Sequence, residues 1–218
     1  MSSQTSRLNS TQRREAMLQA AADLFFEQGY AATSIDAIIT RVGGSKRNIY
    51  SEFGNKEGLF SALVASCTEE MTAAMALPET ENKDLHKTLM MLGLRMLQFY
   101  MSPRMIGIYR TTLMEAHRFP EWGQTFYDNG PKRAIAQLAK VLEEVSIREQ
   151  LRDVDCYRAA GHFIEMIRGN FYYQVVLGLR PPLSDDEKEQ VVASIVDIFL
   201  NGVKEHRPQS PNVGSVAS

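Results

Sequence analysis

Three cations sit where helices should begin. In the stretch 33–59, TSIDAIITRVGGSKRNIYSEFGNKEGL, Lys46 and Arg47 follow Ser45, and Lys56 follows Asn55. Ser and Asn are favoured helix caps, so each pairing puts positive charge in a first turn. Cations there oppose the helix macrodipole, whose N-terminal end is already positive. A polyanion bound at both N-termini turns that local penalty into attraction, through free backbone N–H groups and side-chain charge together. Duplex DNA is the obvious candidate.

The elements that must hold these charges are legible in the same stretch. Thr33 followed three residues later by Asp36, ahead of an apolar run, predicts a helix starting near Ser34. Ile35, Ile38, Ile39 and Val42 recur at i, i+3, i+4 and i+7, an apolar stripe that packs inward. Gly43 and Gly44 close that helix, since glycine takes the left-handed conformation without a Cβ penalty. In the second helix only Ile49 and Phe53 demand burial, which frees Lys46, Arg47, Asn48, Tyr50 and Ser51. Two helices joined by a tight glycine turn, the second polar and basic, form a helix-turn-helix whose second helix enters the major groove N-terminus first. A surface hairpin with solvated charges is the alternative for the motif taken alone. On the DNA reading the candidate contacts are Thr33, Ser34, Ser45, Lys46, Arg47, Asn48, Tyr50 and Lys56. Lys46, Arg47 and Asn48 suit base edges, whereas Lys56 and the Tyr50 hydroxyl suit the phosphate backbone.

The segment GYAATSIDAIITRVGGSKRNIYSEFGNKEGLF, inside a match from about Arg13 to Val64, resembles the N-terminal domain of TetR-type transcriptional regulators. Gly29-Tyr30 before the motif, Ile49-Tyr50 and Phe53 around its second helix, and Lys56-Glu57 after it carry the resemblance. Gly44 departs from the pattern, which more often has Val or another apolar residue there. Beyond Thr68, MEAHRFPEWGQTFYDNGP and HFIEMIRGNFYYQVVLG resemble the regulatory domain of the AcrR- and AefR-like branch. The resemblance implies a homodimeric repressor, joined through its last two helices into a four-helix bundle. It also implies a palindromic operator and release by a small hydrophobic or aromatic effector held among the middle helices.

Composition is compatible with that picture. The chain has 218 residues, 44% of them hydrophobic, enough for a substantial core. Its net charge is −2, but residues 1–56 carry Arg7, Arg13, Arg14, Arg41, Lys46, Arg47 and Lys56 against Glu15, Asp23, Glu27, Asp36 and Glu52, so the acidic excess lies downstream. No apolar run of spanning length and no signal-peptide core occur, and the expected location is cytoplasmic. Cys67 and Cys156 make neither a disulfide framework nor a zinc spacing; buried thiols are expected, with Arg158 near Cys156 leaving redox sensing open. Neither a phosphate loop, a nucleophile elbow nor a His–Glu zinc pattern is present, so no enzyme, cofactor or metal site is expected. His162 with Glu165, and Glu115 with His117, read as satisfied polar pairs or hydrogen-bonding groups of an effector pocket rather than metal ligands. The rival function is an all-helical ligand carrier, enzyme or protein–protein adaptor that never meets DNA.

Periodicity along the chain predicts an all-α fold: a three-helix DNA-binding head with the helix-turn-helix, then a larger helical ligand-binding and dimerisation domain. The expected segments are a disordered arm (1–10, with Arg7 near phosphate or the minor groove), the head (11–56), the regulatory domain (57–206) and a disordered tail (207–218). Helices are expected from Thr11 to Gly29, from Asn55 to about Leu77, from Leu85 to near Pro103 and on to His117. Others are expected over Glu121–Tyr127, Arg133–Arg148, Asp155–Leu177 and Asp185–His206. Met101, Tyr109, Met114, His117, Phe126, Phe163, Met166 and Tyr172 are candidates to line an adaptable apolar cavity, although any one of them alone is more ordinarily core. The final helices are apolar on more than one side, with Val191 and Ile198 beginning a second stripe. That surplus makes Ala160, Ile167, Val192, Ile195, Val196 and Phe199 candidates for a two-fold interface, beside the small residues Ala159 to Gly161.

Overall fold

The computed structural model describes residues 9–75 and 84–203. Arg7 with most of the expected arm, the connection through residue 83 and the tail from 207 lie outside the described residues. The described chain is helical throughout, with no strand element among the described residues. The reading head comprises α1 (Ser10–Gln28), α2 (Ile35–Val42) and α3 (Lys46–Phe53), and α4 (Lys56–Ala74) runs from it into the body. The body contains α5 (Leu85–Tyr100), α6 (Pro103–Glu115), α7 (Pro120–Asn129), α8 (Pro131–Glu143), the single turn α9 (Val145–Arg148), α10 (Cys156–Val176) and α11 (Asp185–Val203).

Caps fix the boundaries. Asn9 and Gln12 exchange hydrogen bonds of 2.8 and 3.0 Å in a capping box, so α1 starts at Ser10 and the first two residues of its frame come from the expected arm. The cap of α2 is Ser34, whose Oγ accepts from Ala37 N at 3.1 Å, one residue later than the Thr33–Asp36 pattern suggested. Thr33 is buried instead, and its hydroxyl donates to Gly29 O at 2.9 Å, closing the turn after α1. Asn55, Asp84, Ser102 and Asp155 cap α4, α5, α6 and α10 through their side chains. The expected single helix over 133–148 is divided at Glu144, which leaves helical geometry with ψ 134°.

One apolar cluster runs from the head into the body. In the head, Phe25 of α1, Ile38 of α2 and Ile49 of α3 close over Leu59, Phe60 and Leu63 of α4. Ile35, Ile39 and Val42 are only half-buried, so one residue of the α2 stripe supplies its deep anchor. Tyr30 then joins the head to α7: its ring lies 4.8 Å from Trp122, and Trp122 in turn lies 4.5 Å from Phe60 and 4.3 Å from Phe119. Gly107 of α6 lies directly under Phe26 of α1; a Cβ there would come within 2.5 Å of the ring.

In the body α8 packs along α10 and α5 along α11. The second contact is close because Gly93 faces Val192, where a Cβ would stand 2.7 Å from a Val192 methyl. This packing bears on the expected interface set. Ala160, Ile167, Val192, Val196 and Phe199 are buried within their own chain, because α5 takes up that stripe of α11 and the α10 residues turn the same way. Of the six, Ile195 alone retains partial exposure, and the outward stripe is the one that Val191 and Ile198 begin. Finally, α10 is broken at Gly169, whose φ of 40° and ψ of −170° no helix contains.

Candidate functional site

The second motif helix is held by little and exposes much. Ile49 anchors α3, Phe53 is half-buried under the Arg14 guanidinium at 5.6 Å, and the rest of the helix faces outward. Gly43 and Gly44 adopt φ of 76° and 111°, and a Cβ on Gly44 would touch only Asn48 Nδ2 at 3.6 Å. The departure from the expected Val therefore has a backbone cause, because a β-branched residue is strained at that φ. Ser45 occupies the cap position of α3 without using its hydroxyl there. Ser45, Lys46, Arg47 and Tyr50 are exposed and Asn48 is half-buried, so these five lie together on the outer side of the head with exposed Ser34 at the start of α2.

Charges near this face differ in availability. Lys46 Nζ meets Asp36 Oδ1 at 2.9 Å, an exposed pair that also holds the Lys46 pKa above its ordinary value. Such pairs are worth little in water, so a phosphate can replace the carboxylate. Arg41 is held in a fork by Glu27, and Arg14 by Glu52 at 3.1 Å. Arg13, exposed in the first turn of α1, borders a groove of about 170 Å³ between α1 and α3, together with Ser10, Asn48 and Ser51. Sequence reasoning counted Arg13 only as charge. The signal was present, since it opposes the α1 macrodipole as Lys46 and Arg47 oppose that of α3.

Two of the expected contacts turn inward. Thr33 is buried as described. Lys56 points back beneath the head: its ammonium donates to Tyr30 O and Thr33 O at 2.9 Å each and to Ala31 O at 3.5 Å, and lies 4.3 Å from the Tyr30 ring centre. Its three N–H bonds are consumed by the turn between α1 and α2. Partial burial accordingly lowers its pKa. Lys56 is a clasp between α4 and the motif, and its charge opposes the macrodipole because three carbonyls compensate it.

The body contains a small, partly open apolar cavity of about 30 Å³, space for about one water. Of the candidates, Tyr109, Phe126 and Tyr172 line it; Val64, Cys67, Thr68 and Met71 of α4 and Arg168 of α10 also do. The α4 wall was missed because its apolar stripe reads equally well as plain core. Five expected residues lie elsewhere. Phe163 packs on Phe199 at 5.1 Å, and Met101 is buried outside the lining. Met166 borders a groove of about 360 Å³ between α10 and α11, Met114 is 68% exposed at a second groove beside α6, and His117 is exposed.

Neither thiol is activated. Burial pushes Cys67 up to about 12, and Cys156 is also raised by burial, which outweighs the lowering field of Arg148. Glu165 and Glu115 are paired with Arg168 and Arg118, and no group of three metal-ligating side chains assembles among the described residues. No helix among the described residues is long and apolar enough to cross a membrane.

Comparison with known proteins agrees with this geometry. Residues 17–63 match the N-terminal domain of bacterial regulatory proteins of the tetR family, and residues 87–202 match the C-terminal domain of AefR-like transcriptional repressors. The HTH-type transcriptional repressor ComR of Escherichia coli (strain K12) is 43% identical over 51 residues, which is 23% of this chain and only 24% of ComR. The uncharacterized HTH-type transcriptional regulator YvkB of Bacillus subtilis (strain 168) is 24% identical over 189 residues, 86% of this chain and 95% of YvkB. Among solved structures, the flavonoid-responsive regulator FrrA superposes with a TM-score of 0.72 at 30% identity, over 91% of this chain and 100% of FrrA. A regulator from Mesorhizobium loti superposes with a TM-score of 0.75 at 24% identity over 91% of this chain and 100% of its own, a likeness of fold. With both parts of the chain matched, one over more than half its length, this protein belongs to the TetR family of transcriptional regulators, with an N-terminal DNA-binding domain and an AefR-like C-terminal domain.

Proposed function

We propose that the chain is a repressor that binds a palindromic operator as a homodimer and leaves it when a small aromatic effector enters the body. The observation that carries the DNA half is the first turn of α3, where an unused Ser45 hydroxyl and exposed Lys46 and Arg47 stand at a free helix N-terminus. Lys46, Arg47 and Asn48 read base edges; Ser34, Ser45 and Tyr50 hold the backbone, and Arg13 adds a phosphate contact from α1. The names of ComR and of the AefR-like domain support repression, and that of FrrA supports a flat aromatic effector. Such a protein acts in the cytoplasm, beside the chromosome.

Ligand response is supported by α4. One end of this helix is clasped to the head by Lys56, and its 64–71 face is a wall of the cavity, about 16 Å away along an unbroken helix at 1.5 Å per residue. Dimerisation is supported by the groove between α10 and α11, bordered by Met166, Asn170, Val191, Ser194 and Ile195, with Ile198 nearby at 59% exposure. A second copy related by a two-fold axis fills it with the same residues.

Selection of bound fragments from a random duplex library tests the reading. Wild type is expected to return a two-fold motif, and Arg47→Ala to return it with one position per half-site relaxed, a loss of about 1–3 kcal/mol of discrimination for a bidentate contact. No enrichment, or the same motif from both proteins, refutes the assignment of α3.

A further inference from the structure

We propose that Arg168 and Tyr172 form the polar end of the cavity and select an effector that carries a carboxylate on a flat aromatic ring. This deepens the reading of the cavity as the effector site and rests on it. The walls are otherwise apolar and aromatic, with Phe99, Tyr100, Tyr109 and Phe126 contributing rings. Against that background Tyr172 is almost wholly buried, and its hydroxyl has no hydrogen-bond partner among the described residues. A buried hydroxyl without a partner is uncommon and costs free energy until something supplies one.

Arg168 stands beside it. The guanidinium carbon lies 5.7 Å from the ring centres of both Tyr109 and Tyr172, which frame the cation from two sides. Among the described residues its fork has two side-chain partners: Nη1 meets Glu165 Oε1 at 3.0 Å, and Nη2 reaches the Tyr109 hydroxyl at a long 3.4 Å. Glu165 is more than half exposed, whereas the Arg168 side chain is largely covered. The internal ion pair thus places its anion in water and its cation at the cavity, and a water-exposed pair holds weakly. A ligand carboxylate arriving from the cavity side takes a bidentate geometry on the planar fork, with one oxygen within reach of the Tyr172 O–H. Glu165 is then released to solvent. The ring attached to that carboxylate stacks among Tyr109, Phe126 and Phe99.

The cavity must widen to admit a ring, and the helices are interrupted where this side would give. Gly169, immediately after Arg168, breaks α10 with a positive φ, and Gly130-Pro131 in the lining separates α7 from α8 just beyond Phe126.

Calorimetric titration of the full-length protein, without DNA, with 2-naphthoate, 2-naphthamide, 2-naphthol and octanoate tests the proposal. The expected result is that 2-naphthoate binds at least tenfold more tightly than the two uncharged naphthalenes and than the ringless acid. Arg168→Met should erase the advantage of the carboxylate, and Tyr172→Phe should weaken 2-naphthoate several-fold. Glu165→Gln, a change on the exposed side, should tighten it. Equal affinity for the acid and the amide, no heat with 2-naphthoate at millimolar concentration, or a preference that survives Arg168→Met overturns the proposal. Should Arg168→Met fail to fold, an unchanged affinity in Glu165→Gln overturns it independently. Because DNA is absent, failure here leaves the operator reading standing, and failure of operator binding leaves the titration readable.

Discussion

Replacing Lys56 by Met separates two roles that a lysine at the start of α4 can play. Methionine keeps the aliphatic stem over Tyr30 and removes only the ammonium. Two contacts of 2.9 Å to Tyr30 O and Thr33 O are charge-assisted, the class worth about 1.5–3 kcal/mol each. The site is only partly buried, so the low end applies, and water recovers part of the loss at the freed carbonyls. The cation over the Tyr30 ring at 4.3 Å adds about 0.5–1 kcal/mol. The expected destabilisation is about 2–3 kcal/mol, roughly a 30- to 140-fold change in the folding equilibrium at about 1.4 kcal/mol per decade. Trp122, the single tryptophan, lies 4.8 Å from Tyr30 and reports the junction directly. Urea denaturation followed by its fluorescence, at fixed protein concentration, should show a lower midpoint with an unchanged slope. Under conditions where the variant stays folded, the salt dependence of operator binding should match wild type. An unchanged midpoint together with a salt slope smaller by about 0.9, the value of one phosphate contact, would falsify the clasp and return Lys56 to the DNA surface.

Other substitutions probe the remaining surfaces. Arg13→Ala should weaken binding to all duplexes alike and shrink the log–log salt slope by about one unit, read by fluorescence anisotropy across a salt series; an unchanged slope removes α1 from the interface. Ile195→Asp with Ile198→Asp should give folded monomers by sedimentation without operator binding, whereas Val196→Asp, a charge placed in the core, should not fold; a dimeric double variant places the interface elsewhere. Gly107→Val should cost about 1–3 kcal/mol through overpacking against Phe26, measured as a lower melting temperature, and a neutral result would mean that α1 and α6 do not pack as closely as they do here.

The sequence was most readable where a local rule acts alone. Alternation of apolar positions, the glycines at 43 and 44 and the Asn55 cap depend on residues a few positions apart, and each stands where spacing put it. Reading failed where direction depended on distant partners. Lys56 looked like a misplaced charge because the carbonyls that neutralise it are 23 to 26 residues earlier. Val192, Ile195, Val196 and Phe199 formed a convincing stripe, but nothing local says whether α5 or a second subunit covers it; Gly93, which lets α5 approach, was the only clue. The cavity residues divided for the same reason. Tyr109 and Phe126 meet at 5.8 Å across two helices, while Phe163, on the same helix as Tyr172, turns toward α11.

The layout of the cavity also bears on how an effector is heard. A swing from 1:99 to 99:1 between two head positions needs about 5.5 kcal/mol of differential affinity, so a ligand that both states accommodate equally shifts nothing. A cavity of about 30 Å³ cannot hold an aromatic ring without moving a wall. Yielding beside Gly169 or Gly130 admits the ring, but the helix breaks there absorb the strain, so the head moves only where the ligand also displaces a second wall. If it is the Val64–Met71 face, the displaced element is an unbroken helix, and movement at Cys67 reaches Lys56 as a rigid-body motion. The clasp then carries Tyr30, Thr33 and the start of α2 with it. A second route leads from the distal half of α10, whose Val175 and Val176 carbonyls accept from Arg110 at 2.7 and 2.6 Å, through α6 to Gly107 and Phe26. Anchoring an acid at Arg168 fixes one end of the ligand, and ring length from that anchor decides whether it reaches α4. Among acids of equal affinity, those with the longer ring system should therefore release DNA more completely, and release that is independent of ring length would place the signal on the α10–α6 route instead.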